Sequence, residues 1–256
     1  LLFTFLNTQA THIMGGEITW VCIKDPVSLD FGKYIFKMKV YYDCDGTTGS
    51  TSSQFIDIWD GGSSPLSSIA LDWISGTDIS PSGDAVNSGN ACLDCSTNPV
   101  GAVEEYVYES QPIALPGTPP SAGWHFTWDS CCRNGAISNL VLSSTANPDE
   151  GFTLRASMFP YIDASGNILD ADPCYDNSPK FNESPKTIIC TGYPFSYTPN
   201  ASDVELDSLS YAWDEPLDDI DGITAYNPGI NPLPLPFVVP YSFNNPLPGG
   251  VTLDTQ

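Results

Sequence analysis

Trp124-His125-Phe126-Thr127-Trp128-Asp129-Ser130-Cys131-Cys132-Arg133-Asn134-Gly135-Ala136-Ile137-Ser138-Asn139-Leu140 is the stretch around which the chain is organised. In an extended backbone Trp124, Phe126 and Trp128 fall on one side and His125, Thr127 and Asp129 on the other, the period-2 pattern of a half-buried strand. The aromatic side is expected to face a core. His125, opposite it, reads as a surface or packing histidine rather than a catalytic base. Where the run ends, Cys131 and Cys132 point to opposite faces, so each reaches a different partner strand, and a bond between the two neighbours requires a strained ring. Two bridges leaving one strand end fix two layers together.

Further runs with strand character lie on both sides of this stretch. Gly15 to Cys22 follows a glycine turn. Tyr34, Phe36, Met38, Val40 and Tyr42 alternate with Ile35, Lys37, Lys39 and Tyr41, an apolar face against one carrying two lysines. Phe55–Trp59, Ile69–Ile74, Glu104–Glu109, Gln111–Leu115, Ile137–Leu142 and Gly151–Tyr161 continue the series. No segment keeps a 3.6-residue period between helix caps, so an all-β, antiparallel protein with little helix is expected. Residues 75–102 form a long polar loop with Cys92 and Cys95 as its anchors, and a loop of that length is either functional or stapled.

The chain has 256 residues, 41% of them hydrophobic and 12% aromatic, enough for real cores and unlike a disordered segment. A net charge of −23 repels phosphate backbones and anionic membranes, which excludes nucleic acid as an expected partner. No run of apolar residues is long enough for a membrane-spanning segment. The eight cysteines, Cys22, Cys44, Cys92, Cys95, Cys131, Cys132, Cys174 and Cys190, form no zinc-knuckle spacing, and only His12 and His125 accompany them. Disulfides and an oxidising compartment are therefore expected. Cys174 and Cys190, flanking one proline-bearing loop, are the expected pair. Residues 1–10, L-L-F-T-F-L-N-T-Q-A, read as the end of a signal peptide with Thr8 and Ala10 at its cleavage site, the alternative being a first strand.

A boundary is expected where Asp172 to Pro185 breaks any regular pattern. It leaves an N-terminal β domain over residues 11–175 and a second β domain, incomplete, over 176–256. Residues 187–256 hold nine acids and no base. Within them Asp203, Glu205 and Asp207 alternate with Val204 and Leu206, so three carboxylates converge on a hard cation such as Ca²⁺ or else form a solvated turn. Asp218, Asp219 and Asp221 make a second acidic group. Arg133 has two roles open to it, a structural latch on Asp43 or Asp45, or a ligand-binding guanidinium. No G-x-S-x-G, H-E-x-x-H or phosphate-binding loop is present, and the expectation is a non-enzyme. A carboxylate-pair glycosidase stays open as the alternative.

T-H-I-M-G-G-E-I-T-W at residues 11–20, Y-I-F-K-M-K-V-Y-Y-D-C-D-G at 34–46 and D-S-C-C-R-N-G-A-I-S-N-L at 129–140 resemble the N-terminal region of large, gliding-motility-associated surface proteins of Bacteroidota. Many such proteins leave the cell through the type IX secretion machinery. Further on, A-S-D-V-E-L-D-S-L-S-Y at 201–211 is similar to the entry of PKD-like or cadherin-like repeats, with Glu205 and Leu206 in place of the usual Asp-Gly. The resemblance implies immunoglobulin-like β-sandwich domains with long loops and disulfides in an extracellular adhesion or display module. Surface polysaccharide or protein ligands are the partners it implies. A secreted carbohydrate-binding module or carbohydrate-active enzyme, marked by exposed Trp59, Trp73 and Trp124, and a structural spacer are the alternatives.

Overall fold

The structure, a computed structural model, describes residues 13–46, 49–81, 93–131, 133–141, 151–162, 165–167, 174, 176–185, 196–220, 232–247 and 252–255. Residues 1–12, with the expected signal segment, lie outside them. The described residues contain no helix. Nine strands are present: β1 (Ile13–Cys22), β2 (Tyr34–Asp43), β3 (Gln54–Trp59), β4 (Ser67–Asp78), β5 (Val103–Ser110), β6 (Trp124–Ser130), β7 (Phe152–Met158) and the short β8 (Lys180–Phe181) and β9 (Ala201–Ser202).

The first seven form one antiparallel sheet in the order β1-β2-β5-β4-β3-β6-β7. Lettered along the chain, that order is A-B-E-D followed by C-F-G, the two sheets of an immunoglobulin-type sandwich joined through the β3–β4 hairpin. Strand β4 makes the junction. Its residues 67–71 pair with β3 and its residues 71–78 pair with β5. Between Trp73 and Ser75 the ladder shifts register, leaving Ile74 as an extra, exposed residue. A bulge of this kind bends and twists a strand, which lets it pass from one layer to the other.

Bending the sheet lays β1 and β2 over β6 and β7. Trp20 and Phe36 meet Phe126 at ring-centroid distances of 5.3 and 4.8 Å, and Met38, Ile56, Ile58, Leu71 and Met158 fill the core around them. Each such side chain stabilises the fold by about 1.5–3 kcal/mol relative to exposure. Where β1 passes β7 the backbone at Gly16 comes so near that a Cβ would stand 2.5 Å from the Lys39 carbonyl oxygen and 2.7 Å from a Leu154 methyl. Only glycine fits there.

Strand β2 is half-buried as its alternation predicts. Tyr34, Phe36, Met38 and Val40 point inward, while Lys37 reaches Glu109 at 3.0 Å and Lys39 reaches Glu17 and Glu105 at 3.1 and 3.5 Å on the outside. Strand β6 departs from its expected half-burial. Trp124, Phe126 and Trp128 face the core, yet His125 and Thr127 on the other side are only 4% and 1% exposed. That second face is covered. Trp59 and Ile220 form a small cluster of their own, and the Trp59 Nε1 donates to Thr127 Oγ1 at 2.9 Å. Nearby, residues 216–218 pair with 233–235, while Val141 and Asn139 bond Pro236 and Val238.

Two expected strands are absent, each for a local reason. In 111–115, Pro112 has no N–H to donate and Pro116 follows, so pairing shrinks to the single bridge Tyr34–Ile113. Among the described residues of 137–142, Asn134 turns the chain instead: its Oδ1 accepts from Ala136 N at 2.8 Å and its carbonyl from Ile137 N at 3.2 Å. Only the bridge Leu140–Phe237 remains.

The free edge of β1 is closed without a strand. Trp20 N donates to Ser178 Oγ at 2.8 Å, Ser178 N to the Trp20 carbonyl at 3.1 Å, and Cys22 N to Asn177 Oδ1 at 2.6 Å. Side chains here satisfy the polar groups that an open edge would offer to another chain.

Candidate functional site

Three long connections leave the sandwich at one end. Asp43 at the end of β2 lies opposite Val103 at the start of β5, and Asp78 at the end of β4 lies opposite Glu104. Arg133, just beyond β6, bridges Ile13 at the start of β1, whose register partner is Tyr42. Connections 44–53, 79–102 and 131–151 therefore share an end, the one corresponding to the B–C, D–E and F–G loops of an immunoglobulin-type domain.

The roots of these connections are fixed covalently and by hydrogen bonds. Cys44 is bonded to Cys95, and Cys44 N donates to the Ala102 carbonyl at 3.0 Å. Asp78 Oδ2 accepts from Cys95 N at 2.8 Å, and Ser80 Oγ accepts from Val103 N at 3.0 Å. Burial raises the Asp78 carboxyl, but the hydroxyl of Ser80 and the N–H groups of Cys95 and Ser80 outweigh it and hold the group below the usual range. Asp94 organises the turn that carries Cys95, accepting from Ser96 N at 2.9 Å and Thr97 N at 2.6 Å. Hydrogen bonds from the Ser96 and Thr97 hydroxyls and the Thr97 amide keep this carboxylate ionised well below the ordinary value. Beneath connection 44–53 lies a tyrosine floor. Tyr42 and Tyr106 pack at 5.2 Å, Tyr108 OH donates to the Ser50 carbonyl at 2.5 Å, and burial pushes Tyr42 up to about 12.

Arg133 belongs to this frame. Its guanidinium is buried, donates from Nε to the Gly151 carbonyl at 3.2 Å and from NH2 to the Leu217 carbonyl at 2.6 Å, and sits 4.7 Å over the Phe152 ring. The neighbouring Asn134, through Nδ2, takes Asp43 Oδ2 at 2.8 Å. So the latch expected between Arg133 and Asp43 is made one residue later, because Asn134 rather than Arg133 lies against the end of β2. His125 is a packing residue: Nδ1 meets Ser157 Oγ at 2.7 Å and Nε2 meets the Ala122 carbonyl at 3.1 Å. Burial lowers its pKa, the Ala122 carbonyl opposes that, and the charge of Arg155 adds to it.

The cysteines pair otherwise than expected at one position. Cys174 bonds Cys22, not Cys190, because Asn177 and Ser178 bond along the edge of β1 and Cys174 stands within 5.4 Å, Cα to Cα, of the strand's last residue. Cys131 is disulfide-bonded as well. Cys92, Cys132 and Cys190 lie outside the described residues.

The acidic turn lies beside the end of β1. Glu205 forms an ion pair with Lys24 and accepts from Asn177 through both carboxylate oxygens, Oε1 from Nδ2 at 2.6 Å and Oε2 from the backbone N at 3.4 Å. Asp203 Oδ1 instead accepts from Asp207 N at 3.1 Å around Leu206, whose φ is 66°. Among the described residues no three His, Cys, Asp or Glu side chains are grouped to hold a metal ion. Asp176 lies beside the turn, and burial, then the charges of Glu205, Asp203 and Asp207, push its carboxyl up to about 6. The second acidic group is partly structural. Asp218 Oδ1 accepts from Gly151 N at 2.6 Å and Asp219 N at 2.9 Å, while Asp221 lies outside the described residues.

Trp59 and Trp124 are buried, and only Trp73, 38% exposed, reaches solvent, so these three make no stacking platform for a sugar. Lys24, Asn177 and Ser178 escaped the reading of the sequence. Asn177-Ser178, three residues after Cys174, was their one signal, since short polar side chains close to a staple are placed to bond a neighbouring backbone. Among the described residues no helix is long and apolar enough to cross a membrane. Compared with protein families, curated proteins and solved structures, the chain matches none.

Proposed function

We propose that the chain is a non-enzymatic adhesion or display module of an extracellular surface protein, with its ligand-binding surface at the end formed by residues 44–53, 79–102 and 131–151. The observation that carries this reading is the shared, stapled root of those three connections. Rigid strands that hold long loops at one end are the usual way to place binding groups without ordering them anew at each encounter. The disulfides fit an oxidising, extracellular setting. The motifs resembling gliding-motility-associated proteins support export through the type IX secretion machinery.

The test replaces residues 82–91 by a Gly-Ser segment of equal length, leaving Cys92 and Cys95 in place. Binding of wild type and variant to immobilised surface polysaccharides and outer-surface proteins is measured on an array. A matched replacement of residues 26–31, at the opposite end, is the control. Loss of at least tenfold in affinity for the 82–91 variant alone is expected. Equal binding by all three proteins would move the ligand site away from this end, and no binding by any of them would leave the chain a structural spacer.

A further inference from the structure

Lys24, Glu205 and Asn177 form a constellation that the proposed function does not use. Both the Lys24 Nζ and the Asn177 Nδ2 donate to one oxygen, Glu205 Oε1. Two donors on a single acceptor stand about 4–5 Å apart. The Asn177 side chain is 3% exposed at the residue level, and its carbonyl oxygen accepts from Cys22 N at 2.6 Å. An N–H held against that oxygen polarises the amide carbon and stands ready to stabilise negative charge on the oxygen. The Cys22–Cys174 bridge lies two residues from Lys24 and three from Asn177, so amine and amide are kept opposite each other.

We propose that Lys24 and Asn177 are the partners of an intramolecular amide cross-link, with Glu205 as the shared acid–base group. Glu205 removes a proton from the Lys24 ammonium. The neutral Nζ adds to Cγ of Asn177, and the Cys22 N–H carries the developing oxyanion. Glu205 returns the proton to Nδ2, the C–Nδ2 bond breaks, and ammonia leaves, which takes up the remaining proton as ammonium. One C–N bond forms, one breaks, and no oxidant or reductant enters. Lys24 is half-exposed, and Asp176, Asp203 and Asp207 stand near Glu205. The attacking species is the neutral amine, so the reaction accelerates as the pH rises. The product closes the same loop as the Cys22–Cys174 bridge and survives reduction.

Intact mass of the purified chain, after reduction and alkylation, tests the cross-link. A deficit of about 17 Da, the mass of ammonia, is expected for wild type, growing on incubation at about pH 9, with the joined peptides carrying residues 24 and 177 found after proteolysis. Lys24→Arg keeps the charge beside Glu205 but supplies no nucleophilic amine, and it is expected at the full sequence mass. Glu205→Gln should slow the loss at least tenfold. Full sequence mass in wild type after prolonged incubation overturns the proposal. So does an equal deficit in Lys24→Arg, which marks cyclisation of Asn177 onto its own backbone, and an unchanged rate in Glu205→Gln removes the role given to that carboxylate.

Discussion

Strands β2 and β6 carry similar alternating sequences and meet opposite surroundings on their polar sides. On β2 the outward Lys37 forms a part-exposed pair with Glu109 and Lys39 a more shielded one with Glu17 and Glu105, whereas on β6 the outward His125 and Thr127 are buried, Thr127 against Trp59 and His125 against Ala122, Ser157 and Phe159. The chemistry of the side chains records the difference. The charges of β2 stand at the margin of solvent and are paired with opposite charges, and uncharged donors and acceptors with fixed partners occupy the buried side of β6. Alternation alone thus tells which residues share a face, while the identity of the polar ones tells whether that face is wet.

The inner faces are alike, so the largest effect should fall where the two strands meet. Phe126→Ala is expected to lose about 3–5 kcal/mol in denaturant unfolding, because Trp20 and Phe36 both pack on that ring. A loss below about 1 kcal/mol would mean that β1–β2 does not close over β6. The outer faces should then separate. Thr127→Val takes the acceptor from the Trp59 Nε1 inside a dry contact and should lose about 1–3 kcal/mol. An intermediate test uses pH. His125 is buried with its folded pKa depressed, so between that value and the ordinary value near 6.5 the unfolded chain binds the extra proton, and stability falls as pH drops through this window. His125→Gln should show a smaller fall in Tm than wild type between about pH 7.5 and 5.5, and parallel curves would contradict a buried neutral imidazole. The smallest effect belongs to β2: Lys37→Ala should change stability by less than about 1 kcal/mol, and less again in high salt.

Much of the sandwich was legible because its strands obey a local rule. Tyr34 to Tyr42 and Trp124 to Trp128 announce themselves by alternation, and the structure places both as strands. What could not be read depends on partners far along the chain. The outer-face partner of Trp59 is Ile220, and the partner of Cys22 is Cys174, 152 residues away. Periodicity holds no information at that distance. Of the site residues, Cys95 was legible as a loop anchor but not as the partner of Cys44. Arg133 was legible as structural or ligand-binding, though its acceptors are backbone carbonyls, which the identities of Gly151 and Leu217 do not advertise. Glu205 was read with Asp203 and Asp207 as one face of a turn. The left-handed backbone at Leu206 breaks that alternation, so Asp203 caps the turn while Glu205 reaches Lys24.

The Cys22–Cys174 bridge also decides how the protein answers to pulling. Tension along the chain enters through β1, crosses from sulfur to sulfur and leaves at Cys174, so strands β2 to β7 hang inside a closed loop that carries no force. Of the seven strands of the large sheet only β1 is on the load path, and it is held to β2 by a ladder that would have to shear along its length. Opening the disulfide would put the enclosed chain, a sequence separation of 152, onto that path, a reserve of roughly 500 Å when fully extended. An amide between Lys24 and Asn177 would keep that reserve locked even after the sulfurs are reduced.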